Sequence, residues 1–289
     1  MEKLTMLDYV KETPGVLRTN IEQYTTLVDP LMKEVQQKEI KRILLVASGS
    51  SHNACYCARS FVEKVSGLEV KIITPYTFTY YENDVQENDL VLVVTQSGLS
   101  TNAIEALKII KKKQYRAICL TGNKNSDVKD VADVVIEYGV GEELVGYVTK
   151  GVSTLALFLD LFAITYSGKT EYLEELKKAV NLNEEMIEKA TEFIELHYKE
   201  FSSMSWVYSC GAGANYGTAL ESALKMGETI HIPSCCYEIE EYIHGPNLQL
   251  TPQYNVIFFD GNDGASHRVE QVYKATRKVS NRAYLISNN

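Results

Sequence analysis

Hydrophobic residues in this chain cluster into short continuous runs, and most runs are followed by a stretch with helical periodicity. The runs 42–47 and 90–94 are aliphatic almost throughout, which is typical of strands buried on both faces of a parallel sheet. The predicted order is strand 42–47, helix 51–66, strands 69–73 and 90–94, helix 101–113, strands 116–121 and 133–137, and helix 148–167. This alternation predicts a parallel α/β sheet with helices on both faces.

The same pattern starts again after a charged amphipathic helix at 171–198. The second series is strand 206–210, turn 211–215, helix 216–230, strands 234–238 and 255–260, helix 265–279 and strand 282–286. We therefore expect an internal repeat at the scale of a domain. The predicted organisation is a helical lead-in at 1–35, broken at Pro14 and Gly15, a first domain at 36–170, a linking helix at 171–200 and a second domain at 201–289. Because the second series is shorter than the first, we expect the second domain to be incomplete at its carboxyl end.

Polar residues crowd the point where strand 90–94 gives way to helix 101–113. Thr95, Gln96, Ser97, Ser100 and Thr101 lie there around a single glycine. Backbone N–H groups and the positive end of the helix dipole are available at such a corner, and hydroxyls add donors without charge. The alternative is that a serine or threonine merely caps the helix, but one residue would satisfy that need. The pattern favours a phosphate on a small molecule, and it lacks the lysine of a triphosphate-binding loop.

A second corner of the same kind follows strand 42–47, where residues 48–53 read SGSSHN. Two such turns in one open sheet can converge on one ligand.

Composition and charge exclude several classes of partner. The chain has 289 residues and a formal charge of −9, which disfavours nucleic acid and anionic membrane surfaces. There is no run of about 20 apolar residues for a membrane span and no signal-peptide pattern, so we expect a cytoplasmic protein. The six cysteines form no CxxC motif, and we expect reduced, buried thiols rather than zinc ligands or disulfides.

Three charged residues share one face of the predicted helix 216–230. Glu221, Lys225 and Glu228 follow the i, i+4, i+7 spacing on a helix that is otherwise nearly uncharged. The alternative is an ordinary solvent-exposed ion pair. In a cleft, Glu228 could serve as a base, and His244 could serve as an acid because imidazole titrates near neutral pH. His231 is expected to be structural and Glu241 to orient His244 or its loop, although His244 could instead only brace the Gly-Pro turn that follows it.

Four segments together resemble a known family. They are Ser48-Gly49-Ser50-Ser51, TQSGLS at 95–100, LESALKMGE at 220–228 and EYIHGP at 241–246. The chain resembles the SIS (sugar isomerase) domain in its tandem form, as in the isomerase half of glucosamine-6-phosphate synthase and related deglycases and aminosugar deaminases. This resemblance implies two doubly wound, flavodoxin-like SIS domains of three α/β/α layers in tandem.

The resemblance also implies roles for individual residues. The phosphosugar would be bound by Ser50, Ser51, Thr95, Gln96, Ser97, Ser100 and Gly146. Gly146 belongs to ELVGYVTK at 143–150, a loose match to a family motif with Val148 in place of serine. The catalytic group would be Glu228, His244, Lys225 and Glu221. No cofactor or metal is implied, and the partner would be a second copy of the chain in a homodimer with a shared active site.

The expected reaction is isomerisation, aminosugar-phosphate deamination or fructosamine-6-phosphate deglycation of a hexose 6-phosphate derivative through an enediol or enamine. Glutaminase activity is not expected, because the resemblance begins at about residue 35 and includes no glutaminase nucleophile. The three reactions share their chemistry, so the sequence leaves them open. A non-catalytic phosphosugar-binding regulator is the alternative. A dinucleotide-binding site is disfavoured because Tyr216 stands where the segment 211–217 would need glycine.

Overall fold

The computed structural model describes residues 4–287, which fall into two units. The first unit ends at Glu188 and the second begins at Lys189, so the boundary lies within one long helix. Residues 1–3 of the predicted lead-in and residues 288–289 of the predicted second domain lie outside the described residues.

The first unit contains a parallel sheet of five strands. The strands are β1 (Arg42–Ala47), β2 (Glu69–Ile73), β3 (Asp89–Thr95), β4 (Ile118–Thr121) and β5 (Val134–Glu137), in the order β2-β1-β3-β4-β5. Its helices are α1 (Met6–Glu22), α2 (Tyr24–Val35), α3 (Gly49–Ser66), α4 (Pro75–Tyr80), α5 (Thr101–Lys112), α6 (Lys150–Ser167) and the first part of α7 (Tyr172–Leu196). This arrangement confirms the predicted parallel α/β fold.

Side chains from the two faces of this sheet enter two different cores. On β1, Ile43 and Leu45 pack with residues of α1, α2, α3 and α6, whereas Leu44 and Val46 pack with residues of α4 and α5. Every residue of β3 is buried. The alternation follows from the two-residue period of a strand, and it produces three layers with helices on both faces.

The order in which strands are added to the sheet reverses at β1, because β2 lies on one side of β1 and β3 lies on the other. Strands β1 and β3 are paired in register from Arg42 with Asp89 to Ala47 with Val94. The helix after β1 packs on one face and the helix after β3 packs on the other. In an open α/β sheet this switch point leaves a crevice at the carboxyl ends of the two strands, which is where ligands commonly bind.

The second unit contains a parallel sheet of four strands. They are β6 (Val207–Gly211), β7 (Ser234–Glu238), β8 (Asn255–Phe259) and β9 (Ala283–Ile286), in the order β7-β6-β8-β9. The helices after α7 are α8 (Tyr198–Phe201), α9 (Ala214–Lys225), α10 (Ile239–Ile243) and α11 (Ser266–Arg277). The strand order is the same as that of the first four strands of the first unit.

Three details of the predicted elements are wrong. Helix α1 is not broken at Pro14, because the proline ring is buried and the surrounding turns remain helical. Helix α4 was not predicted, although Thr74 as its N-cap and Pro75 in its first turn are a recognisable start signal. The helix predicted at 216–230 is α-helical only to Lys225 and continues as a π-turn over Met226–Ile230.

In the described part of the chain, no helix combines the length and apolarity that a membrane crossing requires. No group of three or more histidine, cysteine, aspartate or glutamate side chains among residues 4–287 is arranged to hold a metal ion.

Gly98 is predicted to be irreplaceable for stability, because its φ is +66° and an added Cβ would overlap the Ser126 hydroxyl and lie 3.2 Å from Thr121 Oγ1. The matched control is Gly67, which has a φ of +75° and no neighbour within 4 Å of an added Cβ. Gly67→Ala should cost only the left-handed strain, about 1–2 kcal/mol. Gly98→Ala should cost at least about 1 kcal/mol more in denaturant unfolding. Equal losses would contradict the packing argument.

Candidate functional site

Two helices begin at the switch point without a side-chain cap. Ser48 is the N-cap of α3 and Ser100 is the N-cap of α5, and neither side chain accepts a hydrogen bond from the first turn of its helix. Capping is therefore not what these serines do. The N-terminal ends of α3 and α5 can instead offer N–H groups and positive dipole ends to an anion.

The loop between β3 and α5 is closed by its own hydroxyl groups. Thr95 Oγ1 donates to Ser100 Oγ at 3.1 Å, and the backbone N–H of Leu99 donates to Ser97 Oγ at 3.2 Å. Thr95 is buried, Ser100 is half-buried and Ser97 is exposed. The loop thus holds a fixed shape and presents the Ser97 hydroxyl to solvent.

The two loops at the switch point are joined by a residue that the sequence analysis missed. Asn102 Nδ2 donates to Ser48 Oγ at 3.2 Å, which connects the start of α5 to the start of α3. Ser50 and Ser51 lie in the first turn of α3 and are buried. That helix begins at Gly49, two residues earlier than predicted, so both serines belong to the helix rather than to the loop.

Gln96 is brought together with the segment before α6. Its Nε2 donates to Glu143 Oε1 at 2.8 Å, and its Oε1 accepts from the Tyr138 hydroxyl at 3.0 Å. Gly146 lies instead in the exposed part of the same segment, and Glu143 is the residue that reaches the corner. The loose motif match at 143–150 predicted that this segment belongs to the site, but it assigned the role to Gly146 and not to the carboxylate of Glu143.

The first helix of the chain also reaches this segment. The Tyr9 hydroxyl accepts the N–H of Leu144 at 3.0 Å, and Lys150 Nζ lies 3.0 Å from Glu12 Oε1. The Lys150 side chain is 2% exposed. The ends of the 143–150 segment are thus tied to α1.

In the second unit, the structure brings together the three predicted charged residues of α9 and its extension. Lys225 Nζ lies 3.0 Å from Glu221 Oε1 and 2.7 Å from Glu228 Oε2. The three side chains are 14–33% exposed, and Glu228 is the most exposed of them. The group is therefore not a fully solvated ion pair, and its net charge is negative because two carboxylates share one ammonium.

Glu228 lies in the π-turn and faces an open cleft. The cleft has a volume of about 680 Å³ and is lined by Ala223, Leu224, Gly227, Glu228, Ile232, Pro233, Ser234, Cys235, Cys236 and Tyr237. π-Turns are rare and occur often at functional sites. A carboxylate at the edge of a cleft, held by a lysine, can accept and return a proton.

Among residues 4–287, His244 forms no ion pair with this charged group. It ends α10, is exposed, and makes no hydrogen bond or ion pair with Glu228 within residues 4–287. The pKa of the Glu240 carboxyl is lowered mainly by its hydrogen bond with Arg268. The charge of His244 lowers it further to a smaller extent. The backbone N–H of His244 donates to Glu241 O at 3.2 Å, and the expected orienting role of the Glu241 side chain stays a prediction. His231 is an exposed residue with left-handed backbone after the π-turn.

None of the six cysteines, all of which lie within residues 4–287, forms a disulfide bond. Cys55, Cys119 and Cys210 are buried as predicted, and burial raises the pKa of Cys119 to about 12. The prediction of burial is wrong for Cys235, which is exposed at the edge of the cleft.

Comparison with known proteins identifies part of the chain. Residues 38–165 match the SIS domain family. The chain is 27% identical over 255 residues to a glutamine–fructose-6-phosphate aminotransferase (isomerizing) of Clostridium tetani, covering 83% of this chain and 42% of that protein. The chain thus spans less than half the length of this curated relative. The match at 38–165 agrees with the resemblance that the motifs of the first unit carry, and the chain is similar to part of these aminotransferases.

Solved structures share the fold. The C-terminal domain of glucosamine-fructose-6-phosphate aminotransferase from Francisella tularensis has a TM-score of 0.87 at 24% identity, covering 98% of this chain and 83% of that one. Glucosamine-6-phosphate deaminase from Thermotoga maritima has a TM-score of 0.74 at 20% identity, covering 96% and 85%.

Proposed function

We propose that this protein is an enzyme that binds a hexose 6-phosphate derivative and moves a proton between its first two carbons through an enediol or enamine. The observation that carries the proposal is the pair of helix N-termini at the switch point, α3 and α5, whose N-cap serines make no side-chain cap. A phosphate ester suits this corner because N–H groups and hydroxyls can bind its oxygens.

The proposed phosphate ligands are the polar groups of these two helix starts. Ser97 has an exposed side chain, and Ser51 lies in the first turn of α3. Thr95 and Ser100 keep the loop in shape through their mutual hydrogen bond. Gln96 can offer its second Nε2 hydrogen, while Ser50 and Gly146 complete the proposed set.

The proposed proton carrier is Glu228. Lys225 Nζ holds its carboxylate in place from 2.7 Å at Oε2, and Glu221 contacts the same ammonium at 3.0 Å from the other side. As a carboxylate, Glu228 takes the hydrogen from one carbon of the open-chain sugar and returns it to the neighbouring carbon. The proposed role of His244 is to open the ring or to protonate the leaving group.

We further propose that the second unit is a second SIS domain, which makes the chain a tandem. The support is the strand order, since β7-β6-β8-β9 repeats the order of the first four strands of the SIS domain in the first unit. Both central strands, β1 and β6, also run directly into a glycine-containing turn and a helix. The proposed extents are 36–170 and 201–289, with 1–35 as lead-in and 171–200 as the link.

The reaction is proposed as isomerisation, deamination or deglycation, without glutamine hydrolysis. Isomerisation releases no group, whereas in deamination water replaces an amine at carbon 2 and in deglycation water replaces an amine at carbon 1. The names of the relatives include both an aminotransferase and a deaminase. The test is a panel of hexose 6-phosphates, glucosamine 6-phosphate and fructosamine 6-phosphates, with released glucose or fructose 6-phosphate as the readout. Turnover of none of them would refute the enzymatic proposal.

A non-catalytic phosphosugar-binding regulator is the second candidate. It is favoured by the contacts of Glu228 within residues 4–287, which include Lys225 and no hydrogen bond or ion pair with His244. The two candidates are separated by exchange of solvent deuterium into a bound hexose 6-phosphate. An enzyme catalyses this exchange at carbon 1 or 2, and a regulator does not.

Loss of one phosphate ligand should weaken binding without unfolding the protein. We expect Ser97→Ala or Ser51→Ala to raise the dissociation constant of the sugar phosphate roughly tenfold, about 1.5 kcal/mol for one charge-assisted hydrogen bond. Isothermal calorimetry measures it, and Ser60→Ala, at an exposed position on α3, is the control. Unchanged affinity in both site variants would exclude this corner as the phosphate site.

Removal of the proton acceptor should stop the reaction but not binding. Gln has the shape of Glu but cannot take up a proton, so Glu228→Gln should reduce turnover by ~10²–10⁴-fold and abolish deuterium exchange. Glu270→Gln, which alters an exposed ion pair with Lys274 on α11, is the matched control. Turnover within threefold of the parent would show that another base, such as Glu221, carries the proton.

A homodimer with a shared active site is proposed because His244 is exposed and, within residues 4–287, makes no hydrogen bond or ion pair with Glu228 of its own chain. Inactive Glu228→Gln protein mixed with inactive His244→Ala protein should then recover part of the activity, because mixed dimers contain one intact site. Subunit exchange is verified with two differently tagged chains. Complete exchange without any recovery would argue against shared sites.

A further inference from the structure

The side chain of Gln96 is fixed at both ends. Glu143 is the acceptor for its Nε2 at 2.8 Å, and Tyr138 is the donor to its Oε1 at 3.0 Å. A carboxylate only accepts hydrogen bonds, so the amide nitrogen must face Glu143. Tyr138 is fully buried, and burial raises the pKa of its hydroxyl well above the ordinary value, so it remains a donor.

Two glycines pack so closely against the Gln96 side chain that neither could be replaced by a larger residue without a clash. An added Cβ on Gly151 would overlap Gln96 Oε1, and one on Gly122 would lie 3.3 Å from Gln96 Cγ. The first turn of α6 and the end of β4 thus pack directly against the glutamine. Its orientation is set by packing as well as by hydrogen bonds.

Glu143 performs a second task at the start of α6. It accepts the backbone N–H groups of Thr149 at 2.9 Å and Lys150 at 2.8 Å. The N-cap residue of α6, Thr149, makes no side-chain cap of its own. The carboxylate therefore neutralises the positive end of this helix, whereas α3 and α5 have no carboxylate cap.

We infer that Glu143 is a positioning residue: it orients Gln96 towards the phosphate and, by occupying the start of α6, leaves the starts of α3 and α5 as the anion site. The inference rests on the proposed function, because it concerns the same phosphate. It adds a residue outside the serine-rich loops and explains why the segment 143–150 reaches the switch point.

The test is a double-mutant cycle with fructose 6-phosphate as the probe, measured by calorimetry. Glu143→Gln retains the size of the side chain but replaces one carboxylate oxygen with an amide NH₂ group. That group cannot accept a hydrogen bond from the N–H donors that surround Glu143. We expect it to raise the dissociation constant about tenfold in the parent, the effect of one lost charge-assisted hydrogen bond, and less than twofold in a Gln96→Ala background. In turnover, KM should rise with kcat nearly unchanged, since binding and not proton transfer is disturbed.

Two further variants separate positioning from general loss of stability. Tyr138→Phe removes the other anchor of Gln96 and leaves the start of α6 intact, so it should also weaken binding. Glu12→Gln weakens the ion pair of Lys150 at the same end of α6 without touching Gln96, and its affinity should stay within twofold of the parent.

Each outcome has one meaning. If Glu143→Gln weakens binding by the same factor with and without Gln96, or if Glu12→Gln weakens binding as much, the residue acts only through the fold and the inference is wrong. If the parent binds the probe and Glu143→Gln binds it equally well, the inference about Glu143 is wrong and the proposed function is unaffected. If the parent binds neither fructose 6-phosphate nor any other ester of the panel, the proposed function falls and the inference falls with it.

Discussion

The burial of β3 on both faces is the constraint on which the first unit depends. A strand with no solvent-exposed side needs helices above and below it, and its neighbour β1 meets the same requirement. The chain satisfies both by sending α3 to one face and α5 to the other. The crevice between their N-terminal ends follows from this packing, so the proposed anion site is a product of the core and does not need a separate scaffold.

Charge is distributed differently in the two units. In the first, the candidate site is built from neutral hydroxyls, amides and N–H groups. The nearby carboxylate of Glu143 accepts hydrogen bonds from N–H donors of Gln96 and Thr149. In the second, the candidate site is an ammonium between two carboxylates. Neutral donors suit the recognition of an anion that must be released again, whereas a clustered carboxylate suits proton transfer.

Much of the fold could be predicted because its signals are local. The aliphatic run 90–94 identified β3, and the spacing of Glu221, Lys225 and Glu228 correctly placed three charges on one face. The rest depends on contacts between distant residues. Nothing near Gln96 in sequence indicates Glu143, and the proline in α1 is tolerated only because it is buried in tertiary packing. The π-turn after Lys225 has no sequence signature of its own. The roles of the site residues remain predictions.

The contacts of α1 with the segment before α6 bear on which stretch of this chain can fold by itself. The match to the SIS domain begins at residue 38, whereas Tyr9 and Glu12 lie well before it. A fragment cut at the family boundary would lose the carboxylate beside the Lys150 ammonium, and it would also lose α1 and α2, whose buried side chains pack in the same core as those of α6. The cooperative folding unit is therefore longer than the inherited sequence pattern, and the helices at the start of the chain must accompany the domain whenever it is moved into another protein.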